Sequence, residues 1–184
     1  MANPHRRIPE RLAVLAHCAE LDSAPVARMH DHAALIQRFY EGFCRRDWSA
    51  MAGCYHREIH FTDPVFDLHG ADAGMMWRML CTNGRDLRLE YTGIQADDQN
   101  GSAHWEANYT FSATGRKVLN IIDASFEFRD GLIVRHVDQF DFWAWSRQAL
   151  GAPGWALGWS GLLQNKIKAK AAFNLAQFKA KNPA

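Results

Sequence analysis

The chain has 184 residues, 48% hydrophobic and 22% charged, which suits one globular domain with its own core and leaves no room for a second catalytic domain. The formal charge of +1 excludes a global attraction to nucleic acid, although residues 151–184 carry five Lys and no acidic residue. Aromatic residues reach 12%, with seven Trp and eleven Phe, a surplus that fits a pocket or an oligomer interface.

Cys18, Cys44, Cys54 and Cys81 form no CxxC pair, so neither a zinc site nor a disulfide framework is expected, and the four read as reduced thiols mostly packed inside. Arg6 and Arg7 precede an apolar run broken by Pro9, Glu10, Arg11 and His17, which is not the pattern of a signal peptide. No stretch approaches the roughly eighteen apolar residues of a membrane span, and the expected location is the cytoplasm.

In chain order, residues 9–21 open with Pro9 and space their apolar side chains as a short leading helix. Residues 28–46 form a stronger one, with Leu35, Ile36, Phe39, Tyr40 and Phe43 on one stripe. Asp47 caps a short helix over 48–55; Glu58 to Thr62 then extend, and Asp63-Pro64 ends that strand. A third helix, about 71–81, carries Met75, Met76, Trp77, Met79 and Leu80 and stops near Asn83-Gly84. From 87 the period becomes two, with strands expected near 87–96, 102–113, 117–129 and 132–140 and turns at Asn100-Gly101, Thr114-Gly115 and Asp130-Gly131. Two helices follow, Phe142 to Leu150 and Trp155 to Lys179, the second docking through Trp159, Leu163, Ile167, Ala171, Leu175 and Phe178. Helices first and a meander later predict an α+β fold with helices on one face of a curled sheet.

Ile36-Gln37-Arg38-Phe39, with Asp63 in Phe61-Thr62-Asp63-Pro64-Val65 following Phe39 by 24 residues, resembles the opening of a bacterial ketosteroid isomerase. Thr114-Gly115-Arg116-Lys117, then Ile122-Asp123 and Asp130-Gly131-Leu132-Ile133-Val134, resembles that family's hairpin and its second buried aspartate, if one residue of gap is allowed before Ile122. The wider group is the nuclear transport factor 2-like superfamily, within which the chain is similar to the SnoaL-like polyketide cyclase and ketosteroid isomerase-related branch. The resemblance implies a cone-shaped α+β barrel, a curved antiparallel sheet covered by N-terminal helices, with an extra C-terminal helix. It also implies the division 1–27 N-terminal helical extension, 28–142 ketosteroid isomerase-like domain and 143–184 C-terminal helical extension.

On this resemblance Asp63 is the general base and Asp123 the carboxylic acid that donates to an enolate oxygen; such a division of roles between two carboxyls is the handiwork of unequal burial. Phe39 stands where the isomerases have a Tyr of the oxyanion hole, and Tyr40 points about 100° away around the helix. Tyr55 is the alternative donor, and Trp77 a pocket-lining aromatic. The parity of Trp105, Ala107, Tyr109 and Phe111 faces the pocket, as does that of His136, Asp138 and Phe140. A second version has Asp138 orienting His136 or activating water in a carboxylate–histidine relay.

Each assignment has a plainer rival. Asp63 before Pro64 is also a turn former, Asp123 can be a structural hydrogen-bond partner, and His136 with Asp138 can be a surface pair. On the strand of Asp123 the opposite parity, Val118 to Phe128, is the more apolar, which the resemblance accommodates if the outer face packs on a second subunit. The expected protein is a homodimeric, cofactor-independent isomerase, cyclase or epoxide-hydrolase type of enzyme with a small-molecule ligand and no metal. The alternatives are a noncatalytic ligand-binding relative and an interaction module whose basic C-terminal helix meets a membrane surface or partner.

Overall fold

The computed structural model describes residues 30–183; the expected leading helix over 9–21 lies outside them. Six strands form one curved sheet in the order β2-β1-β6-β5-β4-β3. They are β1 (Tyr55–Thr62), β2 (Asp67–His69), β3 (Arg88–Ala96), β4 (Asn100–Phe111), β5 (Arg116–Arg129) and β6 (Leu132–Gln139). Every neighbouring pair is antiparallel except β1 and β6, which run parallel, so the sheet is mixed.

Helices α1 (Asp31–Cys44), α2 (Trp48–Ala52) and α3 (Ala71–Asn83) cover the concave face. Asp47 caps α2 by accepting from the Ala50 amide at 3.0 Å, as its position before the apolar run requires. The α1 stripe of Leu35, Ile36, Phe39, Tyr40 and Phe43 is buried against Trp77, Trp105, Ile122, Phe126 and Ile133.

Two turns differ in kind. Asp130 and Gly131 have φ of 53° and 73°, the left-handed pair that a tight hairpin demands. Gly101 is instead inside β4, and the preceding turn is made by Asp97, whose carboxylate accepts from the amides of Gln99 and Asn100. Gly101 is there for space: a Cβ would lie 2.7 Å from Ile36 Cδ1 and 2.9 Å from Phe128 Cζ.

Past the sheet come α4 (Phe142–Leu150), α5 (Ala152–Leu157) and α6 (Gly161–Lys181). Because β6 pairs with β5 only from Asp123 onward, the first half of β5 has a free edge. Helix α4 closes it: Gln148 both accepts from the Leu119 amide (2.9 Å) and donates to the Leu119 carbonyl (3.0 Å). Trp145 and Ala149 pack there with Val118 as a second small core.

The single helix expected over 155–179 is broken between α5 and α6, and Ser160 caps the second piece. Trp159 therefore leaves the docking stripe and is 73% exposed, while Leu175 is buried. Helix α6 is tied down by Gln164, which donates to the Pro64 carbonyl at 3.0 Å, and by Lys179, 2.5 Å from Asp72.

Candidate active site

Beneath α6 the concave face holds a cavity of about 260 Å³. Its walls are aromatic and aliphatic, and Trp77, Trp105, Tyr109, Phe140 and Trp145 are among the aromatic ones. Helix α6 contributes Ile167, Lys170, Ala171 and Asn174 to its mouth. The acidic groups that reach it are Asp63 and Asp138.

Asp63 sits in the loop joining β1 to β2. Its Oδ1 accepts from the amides of Val65 (2.6 Å) and Phe66 (2.5 Å), so the carboxylate is a turn former as well as a cavity group. Burial drives its pKa up to about 6; the two amides oppose that, and the nearby Asp138 adds to it.

Asp138 stands at the end of a buried chain of hydrogen bonds. Trp77 Nε1 donates to Tyr55 Oη at 2.8 Å, and Tyr55 Oη lies 2.7 Å from His136 Nδ1. His136 Nε2 lies 3.0 Å from Asp138 Oδ1, which also accepts from Trp105 Nε1 at 3.1 Å. Since an indole can only donate, the Tyr55 proton goes to Nδ1, and Nε2 then carries the proton donated to Asp138. The neutral tautomer follows from the network, and Asp138 is an anchored acceptor whose Oδ2 has no hydrogen-bond partner among the described residues.

Tyr109 is the mirror case. Trp145 Nε1 donates to its oxygen at 2.9 Å, so its own O–H remains available to the cavity. Burial raises its pKa, the Trp145 bond lowers it, and the charge of Asp63 raises it again.

The model of the SnoaL-like domain family matches residues 36–136, more than half of the chain. The chain belongs to the SnoaL-like domain family. No curated protein matches it in sequence. Among solved structures it resembles a nuclear transport factor 2-like protein of unknown function from Burkholderia pseudomallei (20% identity, 66% of this chain, 99% of the other, TM-score 0.58). It also resembles a candidate polyketide cyclase from Xanthomonas campestris pv. campestris (21% identity, 65% and 96%, TM-score 0.55). A third is an LEH-like epoxide hydrolase of M. tuberculosis (17% identity, 65% and 90%, TM-score 0.53). At these identities the likeness establishes the cone-shaped fold.

Within this SnoaL-like domain the expected site is rearranged at four positions, Asp123, Phe39, Tyr55 and His136. Asp123 is on the outer face, with its side chain 80% exposed and bonded to His104 Nδ1 at 2.8 Å. The reason is register: Trp105 pairs with Ile122 and Ala107 with Asn120, so Ile122 and Asn120 share the inner face and Asp123, paired with His104, is turned out. The apolar parity of β5 that suggested a covered outer face is the core-facing one.

Phe39 and Tyr55 lie behind the cavity wall rather than in it. Phe39 packs against Tyr55, Trp77 and His136 at ring distances of 5.3–5.4 Å, and the Tyr55 hydroxyl is taken up by its two partners. Trp77, Trp105, Tyr109 and Phe140 line the cavity and Asp138 faces it, while His136, fully buried, supports Asp138 from beneath.

Asn120, Lys170 and Asn174 were not singled out from the sequence. Asn120 was legible as the inner neighbour of Ala107 once the strands were registered; the other two had no signal, because nothing in a helix sequence states which cavity it covers.

Proposed function

We propose that this SnoaL-like domain is an acid/base enzyme that moves a proton on, or adds water to, a small, largely apolar molecule of polyketide- or steroid-like type. The observation that carries this reading is that Asp63 and Asp138 meet one predominantly apolar cavity under different constraints. Two carboxyls with unequal surroundings can divide acid and base roles. Related folds named as a candidate polyketide cyclase and an LEH-like epoxide hydrolase support the reaction class.

Asp63 is the base. A carboxyl with a pKa of about 6 is ionised at neutral pH yet close enough to neutrality to take and return a proton. Its Oδ1 is pinned by the loop amides, leaving Oδ2 to accept a proton from a C–H beside a carbonyl, or from water. The electron pair released from the C–H moves onto the carbonyl oxygen, where the free O–H of Tyr109 donates to it. Asp138 Oδ2 holds a substrate hydroxyl or a water in place, with His136 and Trp105 fixing the carboxylate. Returning the proton from Asp63 to a different carbon, as the electron pair moves back off the oxygen, completes an isomerisation; in a ring closure the enolate carbon instead bonds to a second carbonyl carbon of the same molecule, whose oxygen takes up the displaced pair and the proton from Asp63.

The test uses cyclic ketones in D₂O, following α-proton exchange by NMR. Exchange above background that falls about 100-fold or more in Asp63→Asn supports the assignment; undiminished exchange removes Asp63 from the chemistry. A noncatalytic binding protein is the second reading, favoured by Phe39 in place of a hydroxyl donor and by Asp123 turned to solvent. Ligand binding equal in wild type and Asp63→Asn, with no exchange in either, selects it.

A further inference from the structure

We propose that His60, Asp67 and His69 form a binding site for a divalent transition-metal ion of the Zn²⁺ type, clamping the hairpin whose loop carries Asp63. Strands β1 and β2 pair His60 with His69 and Thr62 with Asp67, which places the three side chains on the same outer face of the hairpin. Their ligand atoms all lie within 4.8 Å of one another. Both imidazoles converge on one carboxylate oxygen: His60 Nε2 is 2.7 Å and His69 Nε2 3.8 Å from Asp67 Oδ1. The two rings are stacked at 4.0 Å with 16° between their planes.

A hydrogen-bonded His–Asp pair accounts for His60 and Asp67. It leaves unexplained why a second imidazole, 72% exposed, lies flat on the first with its nitrogen toward the same oxygen. One ion replacing the shared proton satisfies all three. Zn²⁺ needs nitrogen and oxygen ligands at about 2.0–2.2 Å, a closure that exposed side chains reach by rotation. Two imidazoles with one carboxylate select Zn²⁺ and its transition-metal neighbours over Mg²⁺ or Ca²⁺, and water completes the coordination. The neighbouring cations are already engaged: Arg135, opposite His60, is 3.0 Å from Glu127, and Arg129 is 2.6 Å from Glu58.

The ion joins the two strands across the base of the 63–66 loop. Strand β2 has three residues and pairs with β1 alone, so such a tie stiffens the weakest part of the sheet. The site stands whether or not Asp63 is catalytic, since its readout is metal affinity.

Isothermal titration of the full chain with ZnCl₂, and Co²⁺ absorption, test it. One site is expected that weakens about tenfold or more in each of His60→Ala and His69→Ala and is unchanged in His104→Ala. Zinc should also slow amide exchange at Val65 and Phe66 in the wild type and not in His69→Ala. Zinc affinity equal in wild type and both histidine variants, or no uptake at millimolar zinc, overturns the site; uptake without slowed exchange overturns the clamp.

Discussion

At Asp63 the needs of folding and of chemistry oppose each other. Its carboxyl titrates near 6 in the folded protein against an ordinary 3.8, so the folded state holds the proton more tightly than the unfolded chain does. The stability contributed by the neutral form is complete below about pH 4 and is lost as pH rises through 6. We expect wild-type stability to fall by about 1–3 kcal/mol between these limits, and Asp63→Asn to remove that fall while abolishing proton transfer. Urea unfolding at pH 4 and 7.5 measures it: the variant should match the wild type at the lower pH and exceed it at the higher. Any activity of the wild type should rise through pH 6, as a base must be ionised. Tyr55 presents a different case, buried with two partners. Tyr55→Phe leaves Trp77 Nε1 and His136 Nδ1 without partners, and denaturant titration should show a loss of about 2–3 kcal/mol.

Among the elements, those with a sustained period were readable and those set by pairing were not. Helix α1 declared itself through its stripe, and β4 and β6 through alternation that put Trp105, Tyr109, His136 and Asp138 on the inner face. Strand β2 is too short to show a period, so the meeting of Asp67, His69 and His60 was invisible. Asp123 failed for a different reason: the alternation of β5 is regular and its more apolar parity, Val118 to Phe128, does face the core, but the resemblance put Asp123 inside, and its gap of one residue before Ile122 is enough to turn every side chain over. On the free edge of β5 the backbone amide and carbonyl of Leu119 are both paired by one α4 side chain, Gln148. Gln148→Ala should leave the Leu119 amide and carbonyl unpaired and cost about 1–2 kcal/mol, read as a lower urea midpoint and faster exchange at Leu119.

In the whole molecule, the family region makes the cone and the C-terminal helices complete its closure. Helix α4 seals the second core against Val118, and α6 lies across the cavity mouth, attached through Leu175, Gln164 and Lys179. Because α6 has few buried side chains, it should open without unfolding of the sheet. Leu175→Ala should speed amide exchange throughout α6 while leaving β4–β6 protected; equal acceleration in both would show that α6 and the sheet unfold as one. Among the described residues no helix is long and apolar enough to cross a membrane.

The sequence by itself determined the class of fold, the order of its elements and the two inward stripes that carry Trp105, Tyr109, His136 and Asp138, because periodicity is a local property that burial reads directly. It also placed Asp63 in a loop that Pro64 forces out of regular structure. Only the tertiary structure decided that Asp138, rather than Asp123, shares the cavity with Asp63, that α6 roofs it, and that two histidines meet across a hairpin. Those outcomes depend on strand register and helix docking, where a shift of one residue changes the partner, and no local pattern contains that choice.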